Sequence, residues 1–205
     1  KRQIYHSTRD EKLTAAPTRA VLEGIAPDGG LYVCDPGKLD FDWQGTLQKD
    51  TMSMAADILG ALLPDFQDMN ELVRASYAGK FASDDLTPLV PVGERYVLEL
   101  YHGPTSAFKD VALSVLPRLV SAAAKQEGAG DVVILTATSG DTGKAALEGF
   151  HDVPGTRIMV FYPAGGVSPV QEAQMVTQEG GNVRVCAIRG NFDDAQTGVK
   201  NVFAA

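Results

Sequence analysis

Three short stretches of this 205-residue chain combine reactive or anion-holding residue types with the glycines and caps that would present them. In the first, HGPTSAFKD at 102–110, an apolar helical stripe begins at Phe108, and Thr105 or Ser106 is placed to cap its start. Either cap puts Lys109 in the first helical turn. The positive end of the helix dipole disfavours an ammonium there, so more of the amine remains as the free nucleophile that imine formation needs. A lysine whose stem simply lies along the helix surface would occupy the same position without chemistry.

The second stretch is TSGDTG at 138–143. Gly140 and Gly143 allow a tight turn in which several N–H groups point at one spot, a cradle suited to a carboxylate or phosphate. The ordinary alternative is a strand-to-helix turn capped by Ser139, Asp141 or Thr142. A nucleotide P-loop is excluded, because it would need Gly where Thr138 stands and Ser or Thr where Ala145 stands. The glycine pair is only half of a dinucleotide fingerprint. In the third stretch, YPAGGVSPVQ at 162–171, Ser168, Pro169 and Gln171 form a cap, a first-turn proline and a capping-box partner. Gly165 and Gly166 would give this loop freedom to close over a ligand.

The elements that position these stretches follow from the hydrophobic rhythm. From Arg95 onward, apolar runs at 96–101, 132–135, 158–161 and 183–188 alternate with helical segments, one of them beginning near Lys144. Such alternation predicts a parallel sheet with helices on its faces and ligands beyond the carboxyl ends of its strands. The stripe Phe108, Val111, Ala112, Val115, Leu116, Leu119, Val120 and Ala123 predicts one long helix, kinked or locally unbonded at Pro117. The first ninety residues differ. Helices are expected over 18–22, over 51–63 capped by Thr51, and over 68–78 capped by Asp68, with an extended piece at 31–33 and a connector at 87–93. The fold class is therefore α/β, with a helix-rich N-terminal region at 1–93 and a small parallel-sheet α/β domain at 94–205. The chain opens at Lys1 and closes on an uncapped helical pattern at 201–205, as expected of part of a longer protein.

Composition narrows the partners. Lys plus Arg is 18 and Asp plus Glu is 26, so the formal charge is −8, which argues against nucleic acid and anionic membranes. Cys34 and Cys186 form no disulfide framework, and His6, His102 and His151 lack metal-ligand spacing, so no metal site is expected. No apolar run approaches the roughly 18 residues of a membrane span, and no signal pattern opens the chain. A cytoplasmic protein with a small-molecule ligand is expected.

Taken in order, HGPTSAFKDVAL, ATSGDTGKAA and SPVQEAQM resemble threonine synthase, of the tryptophan-synthase-β-like group of pyridoxal-phosphate enzymes. TRAVLEGIAPDGGLYV and NFDDAQTGVKNVF extend the resemblance over nearly the whole chain. It implies that Lys109 forms a Schiff base with pyridoxal 5'-phosphate, with Phe108 and Asp141 beside the cofactor. It also implies that Thr138, Ser139, Gly140, Asp141 and Thr142 hold the substrate α-carboxylate. The implied reaction, a step of threonine biosynthesis, converts O-phospho-L-homoserine and water into L-threonine and phosphate. The family's second half supplies the loop for the cofactor phosphate and the partner of the ring nitrogen. The resemblance therefore implies a truncated part of a larger two-lobed enzyme, inactive alone and completed by a C-terminal half. The segment beginning at Arg189 matches the NFDDAQ pattern of the first half, not that phosphate loop. Lys144 stands where the family has a small residue, and Ala164 and Gly166 stand where it commonly has cations. A dehydratase or phospholyase of the same fold group, or a non-catalytic scaffold, are the alternatives.

Overall fold

The computed structural model describes residues 4–35, 37, 39 and 41–204. They form two compact units, one from the described residues up to Ala78 with Arg118–Gly130, the other from Gly79–Pro117 with the residues from Asp131 onward.

In the first unit, strands β1 (Tyr5–Ser7), β2 (Thr14–Ala15) and β3 (Tyr32–Val33) make an antiparallel sheet in the order β2-β1-β3. Helix α1 (Pro17–Glu23) starts on a first-turn proline, whose missing N–H costs nothing there. The turn before β3 is gathered by Asp28, whose carboxylate accepts from the buried Ser7 hydroxyl and, at 2.8 Å, from the Gly30 N–H. Those bonds, the Gly30 one first, hold the Asp28 carboxyl below the usual range. Helices α2 (Trp43–Thr46), α3 (Thr51–Leu62) and α4 (Met69–Tyr77) follow. Two expected caps need correction. Asp50, not Thr51, caps α3, because its carboxylate takes the Ser53 N–H at 3.1 Å while Thr51 is already helical. Asp68 precedes α4 but sits at φ 53°, and its side chain makes no capping bond.

The second unit opens with a hairpin where a connector was expected. Strand β4 (Leu89–Val92) runs antiparallel to β5 (Arg95–Leu98), with Pro91 opposite Tyr96. A two-stranded ribbon has only edges, so a proline without a donor is tolerated in it. The expected strand at 96–101 thus ends at Leu98 and lies outside the parallel sheet. That sheet consists of β6 (Val132–Ala137), β7 (Thr156–Pro163) and β8 (Val183–Ile188) in the order β6-β7-β8. Ala137 pairs with Phe161 and Pro163 with Ile188, so the three carboxyl ends share one rim.

The helices of this unit are α6 (Asp141–Phe150), α7 (Pro169–Val176) and α8 (Phe192–Ala204), with the residues of α5 (Asp110–Glu127) up to Pro117; from Arg118 onward α5 belongs to the first unit. The alternation of β7 puts Ile158, Val160 and Tyr162 into one core with Ala146, Leu147 and Phe150 of α6, Met175 of α7 and Val183 of β8. Leu147, Val160 and Met175 expose 0% of their surface, each worth about 1.5–3 kcal/mol on burial. This core fixes where α6 and α7 begin, and so where the loops before them stand.

Pro117 lies inside α5, which continues through it. Its missing N–H leaves the Leu113 carbonyl without its intrahelical donor. Gly149 of α6 packs against that carbonyl so closely that a Cβ would meet the Leu113 oxygen at 1.9 Å. Gly149→Ala should therefore destabilise the chain by about 2 kcal/mol despite the better helix propensity of alanine. The check is a thermal melt, with a fall in Tm of roughly 4–8 °C expected.

Candidate functional site

The turn leaving β6 is organised by one side chain. Thr138 is 1% exposed, and its Oγ1 accepts the N–H of Gly140 at 3.0 Å and of Gly143 at 2.9 Å while donating to the Gly140 carbonyl at 3.2 Å. Gly140 takes φ 144°, a conformation open to glycine and strained for other residues, and serves as the N-cap of α6 without any side-chain cap. Helix α6 therefore starts at Asp141, earlier than the expected start near Lys144. Among the described residues, the N–H groups of Ser139, Asp141 and Thr142 meet no acceptor. Ser139 and Asp141 are exposed and Thr142 is half-buried. In the turn expected to form the cradle, Thr138 takes up the glycine donors, and among the described residues the other N–H groups at this helix N-terminus meet no acceptor.

The Lys109 stretch is built differently from expectation. Helix α5 begins at Asp110, and Lys109 immediately precedes it, its carbonyl accepting the Leu113 N–H at 2.8 Å. Neither Thr105 nor Ser106 caps this start. Instead the Asp110 carboxylate, on a residue 2% exposed, accepts the Thr105 N–H at 2.8 Å and the Thr105 hydroxyl at 2.5 Å. That pull folds 103–106 into a turn with Ser106 at φ 57° and delays the helix by several residues. Lys109 is half-buried, and its Nζ lies 4.4 Å from the centre of the Phe108 ring, which is itself 62% exposed. Among the described residues no carboxylate pairs with that amine. Just upstream, the His102 ring bonds Glu99 at 2.7 Å and stacks on Tyr101. The His102 bond is the chief cause holding the Glu99 carboxyl below its usual range.

The capping box at the start of α7 is present: Ser168 Oγ accepts from the Gln171 N–H, and Gln171 Oε1 accepts from the Ser168 N–H at 3.1 Å. Gln171 also reaches further than its local pattern suggests. Its Nε2 donates to Asp141 Oδ1 at 2.8 Å, and its carboxamide fills the space a side chain at Gly140 would need. Beside it, the buried Tyr162 hydroxyl donates to Glu172 at 2.8 Å, and burial first, then that bond, pushes the phenol upward. Lys144 is drawn away from the turn to Gln178 and Glu148, so the cation next to the cradle is already engaged. Asp110 and Gln171 are site-shaping residues that sequence reasoning missed, since each acts through a partner outside its own helical pattern.

A cleft of about 590 Å³ lies elsewhere, at the amino ends of the strands, and includes Asp131, Val133, Arg157 and Arg184 in its wall. Arg157 there is paired with Asp131 at 2.9 Å. Among the described residues no cluster of His, Cys, Asp and Glu could hold a metal ion, and no helix is long and apolar enough to cross a membrane. Cys34 and Cys186 are free thiols.

The 138–143 turn and Lys109 lie in the same compact unit. Residues 4–90 match the family described as threonine synthase N terminus. The chain is 36% identical over 222 residues to the threonine synthase of Saccharomyces cerevisiae, a match covering 98% of this chain and 43% of that protein. It is 39% identical over 209 residues to the threonine synthase of Pseudomonas aeruginosa, covering 98% and 44% respectively. The crystal structure of pyridoxal-phosphate-bound threonine synthase from Brucella melitensis superposes with a TM-score of 0.90 at 38% identity, covering 98% of this chain and 44% of that one. Sequence and backbone together place the chain with the N-terminal portion of threonine synthases. It spans less than half the length of these relatives.

Thr138→Val keeps the shape of the side chain but strands the buried Gly140 N–H, while the Gly143 N–H keeps the Gly140 carbonyl at 3.1 Å as its second acceptor. It should cost about 2 kcal/mol and remove the hydrogen-exchange protection of the Gly140 amide while weakening that of Gly143, whereas Thr138→Ser should retain most of the stability and protection. Unchanged amide protection in the valine variant would show that the turn holds itself.

Proposed function

We propose that this chain is the N-terminal part of a pyridoxal-phosphate-dependent threonine synthase, a cytoplasmic enzyme converting O-phospho-L-homoserine and water into L-threonine and phosphate. The observation that carries the reading is the Lys109 amine: half-buried, under an aromatic ring face, without a carboxylate partner among the described residues. An amine not locked in an ion pair is available to condense with an aldehyde and then to carry protons. In this reading the helix-rich region at 1–93 precedes the small α/β domain at 94–205 that bears the lysine.

The residues present fit the cofactor in part. Lys109 would hold it covalently, with Phe108 and Asp141 beside it, while its phosphate and ring nitrogen would be held by a C-terminal half that these 205 residues do not include. When bound, the cofactor supplies the electron sink for chemistry at the substrate carbons. The chain's own part is orientation. The free N–H groups of Ser139, Asp141 and Thr142 at the start of α6 would receive the substrate α-carboxylate, with Thr138 and Gly140 shaping the turn that aims them. Backbone donors suit an anionic substrate in a chain of net charge −8, because they bring local positive potential without added cations.

Adding pyridoxal phosphate to the full-length protein and reducing with borohydride should tag Lys109, located by peptide mapping, and Lys109→Ala should abolish both the tag and turnover. The 205-residue polypeptide alone should bind the cofactor weakly and turn over little. Full activity of the alanine variant, or a tag on another residue, would overturn the assignment.

A further inference from the structure

The first helical residue of α6 carries a carboxylate at the place where a substrate acid is proposed to sit. Asp141 at a helix N-terminus is attracted by the same free N–H groups that would receive a ligand acid. In the structure it does not turn onto them. Its Oδ1 is held at 2.8 Å by Gln171 Nε2, and the same Gln171 uses its Oε1 on the Ser168 N–H of its own capping box. One carboxamide therefore joins the start of α6 to the start of α7, at neighbouring carboxyl ends of the sheet. Charged groups nearby on these elements are engaged elsewhere: Lys144 with Glu148 and Gln178, and Glu172 with Tyr162.

We propose that Gln171 is a positioning residue that draws the Asp141 carboxylate toward α7 and so keeps the N–H groups of Ser139, Asp141 and Thr142 clear for the carboxylate of the substrate. The inference rests on the reading of 138–142 as the carboxylate-binding turn. It adds a role for a side chain that local pattern assigns only to helix capping, and it couples the two loops. Movement of the α7 start would release Asp141 to compete for the site, so occupancy of the turn and the position of α7 are linked.

Substitution can separate this role from capping. Glutamate serves in a capping box as well as glutamine does, so Gln171→Glu preserves the Ser168 contact while setting a carboxylate against Asp141. Like charges raise the folded-state affinity of the pair for a proton above that of the unfolded chain. The penalty is therefore present at high pH and disappears as acidification protonates one member. In the full chain, Tm of Gln171→Glu should fall by about 2–4 °C at pH 8 relative to the parent, and the gap should close toward pH 5. Adding Asp141→Asn restores a donor-acceptor pair with its direction reversed. The double variant should recover the parental Tm at both pH values and return the Ser139, Asp141 and Thr142 amide resonances, shifted in the single variant, toward their parental positions.

With the enzyme loaded, Gln171→Leu should raise KM for O-phospho-L-homoserine more than it lowers kcat. A pH-independent loss in Gln171→Glu that Asp141→Asn fails to rescue would reduce Gln171 to a cap and overturn the proposal. Failure of the borohydride tag at Lys109 would instead overturn the functional reading, and would leave the pair behaviour measured by Tm intact.

Discussion

The Thr138 hydroxyl exchanges hydrogen bonds with both ends of the 140–143 turn, and every candidate group on that turn depends on the exchange. A strand that ends in a parallel sheet must hand its chain to a helix within a few residues, and it must do so without burying unpaired donors. Here a buried hydroxyl takes the Gly140 N–H, which would otherwise be orphaned, and shares the Gly143 N–H with the Gly140 carbonyl. What is left over at the mouth of the helix is a set of donors that meet no acceptor among the described residues. Thus the local pairing of backbone groups decides which donors the turn leaves exposed at the start of α6.

The second loop solves a comparable problem with charge. Asp110 is almost fully buried yet accepts two bonds from Thr105, which closes the 103–106 turn and places Lys109 at the step onto α5. The two devices serve one core. Leu113 of α5 rests on the cluster formed by α6, α7, β7 and β8, and its carbonyl meets Gly149 across a contact that Pro117 makes possible by withholding a donor. The helices bearing the candidate groups are thereby seated on the same packed layer.

Much of this organisation was readable from residue order. The three parallel strands, the helix stripe through Pro117 and the capping box at Ser168 all follow from periodicity and local chemistry, because each is decided within a window of a few residues. The hairpin at 89–98 was hidden because Pro88 and Pro91 argue against a strand unless one knows that it is an edge. The start of α5 was misplaced because a carboxylate five residues downstream captured the expected cap, and Asp50 displaced Thr51 by the greater strength of its charge. Gln171 illustrates the general limit: its contact with Asp141 spans thirty positions in sequence, and no periodicity encodes it.

The order β6-β7-β8 gives a sheet with one interior strand and two rims. Among the described residues, the outward amides and carbonyls of β6 and β8 therefore have no neighbouring strand. On β8 the exposed positions are Arg184, Cys186 and Ala187, which leaves a single cation to discourage lateral addition of another chain.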